Sequence, residues 1–248
     1  MFVGVCSDVG KIREINQDSY FKCNLDDFPI FVVADGMGGY KAGEVASRIV
    51  VETVEEMVKE YKEELVKKEL EVPKFINEVL NESNNRVYEK SNSNEEYEGM
   101  GTTVTMAVIL NNEIYIGHIG DSRAYLIRNE EIMQITQDHS LVAELVRNGS
   151  ISEVDAINHP QKNIITRALG TDATVKIDIL SKDVEEGDII LLCTDGLSNM
   201  VSDGLIKEIL LSAEDKQEAC EKLVSTANEL GGLDNITALV IEVKQEKR

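Results

Sequence analysis

The chain has 248 residues, 42% hydrophobic and 5% aromatic, with a formal net charge of −21. That length buries one substantial core, so a single domain over 1–248 is the simplest organisation. The charge argues against nucleic acid and anionic membrane surfaces as partners, and no run is long and apolar enough for membrane insertion. Met1-Phe2-Val3-Gly4-Val5 lacks the basic region and apolar core of a secretory signal. Cys6, Cys23, Cys193 and Cys220 are scattered, with no Cys-x-x-Cys pair, which fits reduced, mostly buried thiols in a cytoplasmic protein.

Three strand-like runs open the chain: Phe2 to Ser7, Tyr20 to Cys23 and Ile30 to Ala34. Glu44 to about Lys68 predicts one long helix, with Ala46, Val50, Val54, Met57, Tyr61 and Leu65 on a single stripe. Lysines interleave with the acids from Glu52 to Glu71, the pattern of a solvated helix face rather than an acidic docking surface. Pro73 suits the first turn of a second helix, whose stripe is Ile76, Leu80, Ser83 and Val87. Ser91 to Gly101 is polar and predicts a loop.

Strands dominate the middle of the chain. Thr102 to Leu110 and Glu113 to Ile119 flank Asn111-Asn112, and Ser122 to Arg128 and Glu131 to Ile135 flank Asn129-Glu130. Two-residue connections of this kind predict antiparallel hairpins. Leu141 to Asn148 predicts a short helix ended by Gly149, and Ser150 to Gly170 an irregular flap. Strands follow at Val175 to Leu180 and Asp188 to Cys193. Asp203 and Asp215 are placed to cap helices running to about Leu211 and to Leu230, and a last strand runs from Ile236 to Val243. Antiparallel strands with helices in two separated pairs predict an α+β fold of two packed sheets, each carrying a helix pair on its outer face.

Four aspartates sit at the ends of apolar runs: Asp35 after Phe31-Val32-Val33-Ala34, Asp121 after Ile116-Gly117-His118-Ile119-Gly120, Asp195 after Ile189 to Thr194, and Asp234 ahead of Asn235-Ile236. Gathered carboxylates repel one another, and a divalent cation makes such a cluster tolerable. In Asp35-Gly36-Met37-Gly38-Gly39 the glycines let backbone carbonyls approach a cation, and no Lys follows as in a nucleotide P-loop. Arg13 beside such a centre would fork a phosphate. Asp18 would support the metals through water or fix its own turn.

Together and in this order, the motifs resemble the metal-dependent Ser/Thr protein phosphatases of type 2C, the PPM family, in their compact bacterial form. The resemblance spans essentially the whole chain. It is carried by Ser7-Asp8-x-Gly10-x-x-Arg13-x-x-Asn16-Gln17-Asp18, Asp35-Gly36-Met37-Gly38-Gly39, Gly101-Thr102-Thr103, Gly120-Asp121-Ser122-Arg123, Thr136-x-Asp138-His139-Ser140, Thr194-Asp195-Gly196-Leu197 and Asp234-Asn235-Ile236-Thr237. It implies a four-layer αββα sandwich. It also implies that Asp35 bridges two Mn²⁺ or Mg²⁺ ions, with the Gly36 carbonyl on one of them and Asp195 and Asp234 on the other. Asp18 would hold metal-bound water, Asp121 with Asp195 a weaker third ion, and Arg13 the substrate phosphate. Residues 150–165 would form a mobile flap over the site. In that chemistry a hydroxide bridging two ions attacks phosphorus in line, without a covalent enzyme intermediate.

The implied substrates are phosphoserine and phosphothreonine proteins, with a Ser/Thr kinase and its targets as partners, and the implied state is a monomer. Met37 stands where many eukaryotic members carry His, and Tyr40 where bacterial members often do, so the leaving-group proton must come from elsewhere. His139, the one histidine within a motif, reads as structural; His118 and His159 are weaker candidates still. Two other readings are a silent phosphoprotein- or metal-binding module, against which the complete carboxylate set argues, and a phosphodiesterase, whose mixed His/Asp ligand set is missing.

Overall fold

The computed structural model describes residues 1–23, 28–39, 42–67 and 71–244. Among them the strands are β1 (Phe2–Asp8), β2 (Asp18–Cys23), β3 (Ile30–Met37), β4 (Gly101–Thr102), β5 (Val104–Leu110), β6 (Glu113–Ile119), β7 (Arg123–Arg128), β8 (Glu131–Gln134), β9 (Asp178–Asp183), β10 (Ile189–Cys193) and β11 (Ile236–Glu242). The helices are α1 (Ala42–Glu60), α2 (Lys62–Lys67), α3 (Val72–Ser91), α4 (Leu141–Arg147), α5 (Glu153–Ile157), α6 (Asp195–Ser198), α7 (Asp203–Ser212) and α8 (Lys216–Glu229).

One sheet has the order β1-β11-β10-β7-β8. The other has β2-β3-β5-β6-β9, with β4 paired to β3, and all pairings are antiparallel. Side chains alternate along each strand, so each sheet feeds two cores. Phe31 and Val33 point between the sheets and meet Leu126, Ile190, Leu192 and Leu239. Val32 points the other way, into a core that α1 and α3 complete with Val50, Val54, Ile76 and Leu80. Leu191 and Val240 likewise join Ile206, Leu210, Leu223 and Val224 of α7 and α8. The three apolar layers make an αββα sandwich, the architecture read from the sequence. Strands buried on both faces also explain the continuous apolar runs, as in Ile189-Ile190-Leu191-Leu192-Cys193.

Asn111 and Asn112 have φ of 53° and 63°, and Asn129 and Glu130 of 51° and 62°, the left-handed pair that a tight hairpin requires. Several boundaries differ from expectation. The long first helix breaks at Tyr61, although Tyr61 N still bonds Met57 O and Leu65 N bonds Tyr61 O; its expected end at Lys68 lies outside the described residues. The strand expected from Thr102 to Leu110 is interrupted at Thr103, which turns to serve Asp35. The strand expected over Val175 to Leu180 starts at Asp178, where pairing with His118 begins, while Val175 and Ile177 pack toward the helices. Ser202, not Asp203, caps α7 by accepting from Leu205 N; Asp203 instead accepts from the Tyr125 hydroxyl. Inside the flap region, a Ser152–Asp155 capping box forms the short helix α5 where irregular chain was expected.

Candidate metal centre

The strand ends converge at one edge of the sandwich. Arg13, Asp35, Gly36, Asp121, Asp195 and Asp234 line a single cleft of about 210 Å³, together with Gln17, Met37, Gly38, Thr103, Asn163 and Ile165. Asp18 lies behind it, buried, directly across the β2–β3 ladder from Asp35. Tyr40 lies outside the described residues.

Each carboxylate is held by its own local device. The Asp35 backbone is clamped: its N–H donates to Thr103 Oγ1 at 3.0 Å, and its carbonyl accepts from Thr103 N at 2.9 Å and Thr102 Oγ1 at 2.8 Å. Gly36 must be glycine, because a Cβ there would overlap the Gly43 carbonyl of α1 and approach the Gln17 carbonyl. Asp18 Oδ2 accepts from Thr194 Oγ1 at 2.8 Å and Thr237 Oγ1 at 2.7 Å. The Asn235 amide donates to Val9 O and Ile15 O, both at 2.9 Å, and its Oδ1 accepts from Gln17 N, so one side chain staples the loop that presents Arg13.

The Asp121 turn is fixed from behind. Gly120 N donates to His139 Nδ1 at 3.1 Å and Gly120 O accepts from His139 N at 2.8 Å. His139 therefore carries its proton on Nε2, which donates to Asp178 at 3.0 Å, and Asp178 in turn accepts from Arg167 at 2.9 Å. Burial lowers the His139 pKa. The ring does not line the cleft; its contacts brace the Asp121 turn from behind. His118 is buried beside it, ring centroids 4.9 Å apart, and burial lowers its pKa to about 4. His159 does not line the cleft either.

The flap stem is tied to the same place: Thr166 N bonds His139 O, Leu141 N bonds Ile164 O, and Ser140 bridges Ile165. A larger cavity of about 570 Å³ lies between α4, α5 and the body; it shares Asp121 and Asp195 with the cleft and contains the Arg123–Asp138 pair. All the candidate metal and phosphate ligands named from the sequence except Asp18 meet in the smaller cleft.

Electrostatics set this centre apart. Burial, and then the Asp18, Asp195, Asp121 and Asp234 charges, raise the Asp35 pKa well above the ordinary carboxylate value. Burial pushes Asp18 up to about 7 against the two threonine bonds, and burial with Asp195 and Asp138 pushes Asp121 up to about 8. Asp195 is raised by burial and by Asp234, with Asp35 and the Arg123 and Arg13 charges acting the other way. Asp18 Oδ1 and Asp195 Oδ1 are buried with no hydrogen-bond partner. Orphaned carboxylate oxygens amid like charges are what a dication would satisfy, and an all-oxygen donor set suits Mg²⁺ or Mn²⁺.

Among the described residues, no three Asp, Glu, His or Cys side chains are closed around one point as a finished cage. The reason is local. Asp234 Oδ2 is taken by Arg13 Nη2 at 2.7 Å and Oδ1 by Asn235 N at 2.9 Å. The unpartnered Asp18 and Asp195 oxygens and the Gly36 carbonyl beside Asp35 are the chemistry that would suit such ions. Gln17, Thr103, Asn163 and Ile165 were not picked out individually as cleft residues in the sequence. Thr103 could have been, since Gly101-Thr102-Thr103 stood out without a role; Asn163 and Ile165 reach the cleft only through the folded flap.

Comparison with known proteins agrees with this arrangement. The family model described as Protein phosphatase 2C matches residues 12–227. The "Serine/threonine phosphatase stp" of Listeria monocytogenes serotype 4b is 42% identical over 238 residues, 95% of this chain and 93% of the relative. The crystal structure of the Mycobacterium tuberculosis serine/threonine phosphatase PstP/Ppp superposes with a TM-score of 0.87 at 33% identity, covering 98% of both chains. That of the PstP catalytic domain in complex with two manganese ions gives 0.85 at 32% identity, again covering 98% of both. With motif order, layered fold and carboxylate cleft all in agreement, the chain belongs to the protein phosphatase 2C family.

Proposed function

We propose that this chain is a protein serine/threonine phosphatase that hydrolyses phosphoserine and phosphothreonine monoesters at the cleft around Asp35. The observation that carries this reading is the meeting of Arg13, Asp35, Gly36, Asp121, Asp195 and Asp234 on one cleft with two orphaned carboxylate oxygens near its base. Asp35, with the Gly36 carbonyl, and Asp195 and Asp234 would hold two Mn²⁺ or Mg²⁺ ions; Asp18 would orient their water, and Asp121 with Asp195 would hold a weaker third. When bound, such ions supply Lewis acidity and an activated water for in-line attack on phosphorus.

The chain's own residues supply position. Arg13 presents a guanidinium fixed at its base by the Asn235 staple, and once off Asp234 its donors match two phosphate oxygens. The Thr194 and Thr237 hydroxyls fix the Asp18 carboxylate so that Oδ1 points free. The His139 clasp sets the height of Asp121. The sandwich with its flap at 150–165 acts as one domain. Among the described residues no helix is long and apolar enough to cross a membrane. The charge and the free, scattered cysteines support a cytoplasmic enzyme, and the likeness to serine/threonine phosphatases supports phosphorylated proteins as substrates; we take it to act as a monomer that counteracts Ser/Thr kinases.

The test is Mn²⁺-dependent phosphate release from phosphothreonine and phosphoserine peptides and from a phosphodiester, with wild type and Asp35→Asn. The peptides should turn over, the diester should not, and Asp35→Asn should be inactive while melting cooperatively. Wild-type activity in that variant at saturating Mn²⁺, or preference for the diester, would sink the assignment.

A further inference from the structure

Beside the cleft, the loop that carries Arg13 and the loop that carries Asp234 lie against each other. Lys11 N donates to Gly232 O at 2.8 Å, and Arg13 meets Asp234 at 2.7 Å. Between these two clasps sit Ile12 and Leu233, with 66% and 57% of their surface exposed. Leu230, at the end of α8, is 55% exposed. A Cβ on Gly231 would lie 3.7 Å from both Leu233 Cδ2 and Met200 Sδ, so Met200, which follows the Asp195–Ser198 turn, adjoins the same patch. Exposed apolar side chains scattered singly are ordinary; several held together on a stapled loop, beside a charged centre, are not.

We propose that Ile12, Met200, Leu230 and Leu233 form an apolar platform that seats an aliphatic or aromatic side chain flanking the phosphorylated residue of the substrate. The inference rests on the phosphatase reading, because Arg13 and the cleft fix where the phosphate sits. The platform is continuous with that site: Ile12 precedes Arg13 and Leu233 precedes Asp234. An extended peptide advances about 3.3 Å per residue, so a neighbour within about three positions of the phosphorylated residue reaches it. Charge points the same way. A chain of net charge −21 and a phosphorylated segment repel at long range, with a Debye length of about 8 Å at physiological salt. Close-range apolar burial beside Arg13 offsets that repulsion and adds to what Lys11 and Arg13 contribute on the same loops.

The test compares two phosphothreonine peptides, identical except that one has Leu or Phe and the other Ser within three positions of the phosphate. It measures kcat and KM for both with Mn²⁺-loaded wild type, Ile12→Ser, Leu233→Ser and the double variant. Wild type should favour the apolar peptide by about fivefold to twentyfold in kcat/KM, expressed in KM, as expected for partial burial of one side chain. The double variant should bring the ratio to near one. A ratio taken within each enzyme is insensitive to changes at Arg13 that affect both peptides alike, and if the double variant misfolds the single variants are read the same way. Equal use of both peptides by wild type, or a preference that survives in the variants, overturns the platform while the phosphatase reading stands. Hydrolysis of neither peptide by wild type overturns both. A dimer in sedimentation that Leu233→Ser dissociates would assign the patch to a second copy of the chain and overturn the proposal.

Discussion

Replacing Asp121 by Asn should stabilise the metal-free protein. Burial, then the Asp195 and Asp138 charges, hold the Asp121 pKa at about 8. A carboxyl raised in the fold binds its proton more tightly than in the unfolded chain. Its stabilising contribution is therefore complete below the ordinary carboxylate value of about 4 and is lost as pH rises toward the folded value. At pH 7 the unfolded group has gained about three units of ionisation free energy that the folded one has not, at ~1.4 kcal/mol per unit. The penalty is thus about 4 kcal/mol, part of it shared with Asp195 and Asp35, and Asp121→Asn should recover about 2–4 kcal/mol. At pH 5 the gain should fall to about 1 kcal/mol. The assay is urea or thermal unfolding in EDTA at pH 5, 6, 7 and 8, with the exposed Asp172→Asn as control for net charge. Wild type in EDTA should weaken across this range, the variant less so, and saturating Mn²⁺ should flatten the wild-type curve. Metal-free wild type equally stable at pH 5 and 8, or a variant weaker than wild type at pH 7 in EDTA, would refute the reasoning.

Three further outcomes follow from the same geometry. Arg13→Ala should raise KM for a phosphopeptide at least tenfold, since charge-assisted bonds are worth about 1.5–3 kcal/mol each. It should also tighten Mn²⁺ binding, because the Arg13–Asp234 pair no longer competes; an unchanged KM would place Arg13 outside the site. Asp121→Ala should lower kcat more for a phosphoserine peptide than for an aryl phosphate, whose leaving group hardly needs an acid, and calorimetric titration should lose only the weakest Mn²⁺ site. Equal losses on both substrates would put Asp121 in the core pair. Gly120→Ala should cost about 2–4 kcal/mol in unfolding experiments, because φ is +106° and the new Cβ would sit 2.5 Å from Thr103 Cβ; a neutral effect would mean the Asp121 turn is free to shift.

What the sequence revealed was local, and what it hid was long-range. The apolar runs that end at Asp35 and Asp195 are legible because a strand buried on both faces has no polar alternation. The hairpins at Asn111-Asn112 and Asn129-Glu130 are legible because few residues accept positive φ in tandem. The break at Thr103 was hidden because its cause is a hydrogen bond to Asp35, 68 positions away. Thr194 and Thr237 stand in the motifs without a role of their own; their grip on Asp18 is visible only where they meet across 43 positions. Ser202 and Asp203 are both acceptable caps, and only the pull of Tyr125 on Asp203 decides between them. Arg13 was placed beside the acids by motif order; its grip on Asp234 could not be read without the Asn235 staple.

The first strand pairs with the last, Phe2 with Glu242 through Asp8 with Ile236, and only this seam brings Arg13 against Asp234, 221 positions apart. During synthesis the amino-terminal half can collapse and even place Asp35 at its strand end, yet the cleft lacks one wall until the final strand has left the ribosome. A polypeptide stalled before Asp234 would therefore carry no competent phosphatase. A pairing this long-range closes its loop before its contacts reward it, so the seam is expected to form late. Activity is thereby withheld from incomplete chains by topology alone.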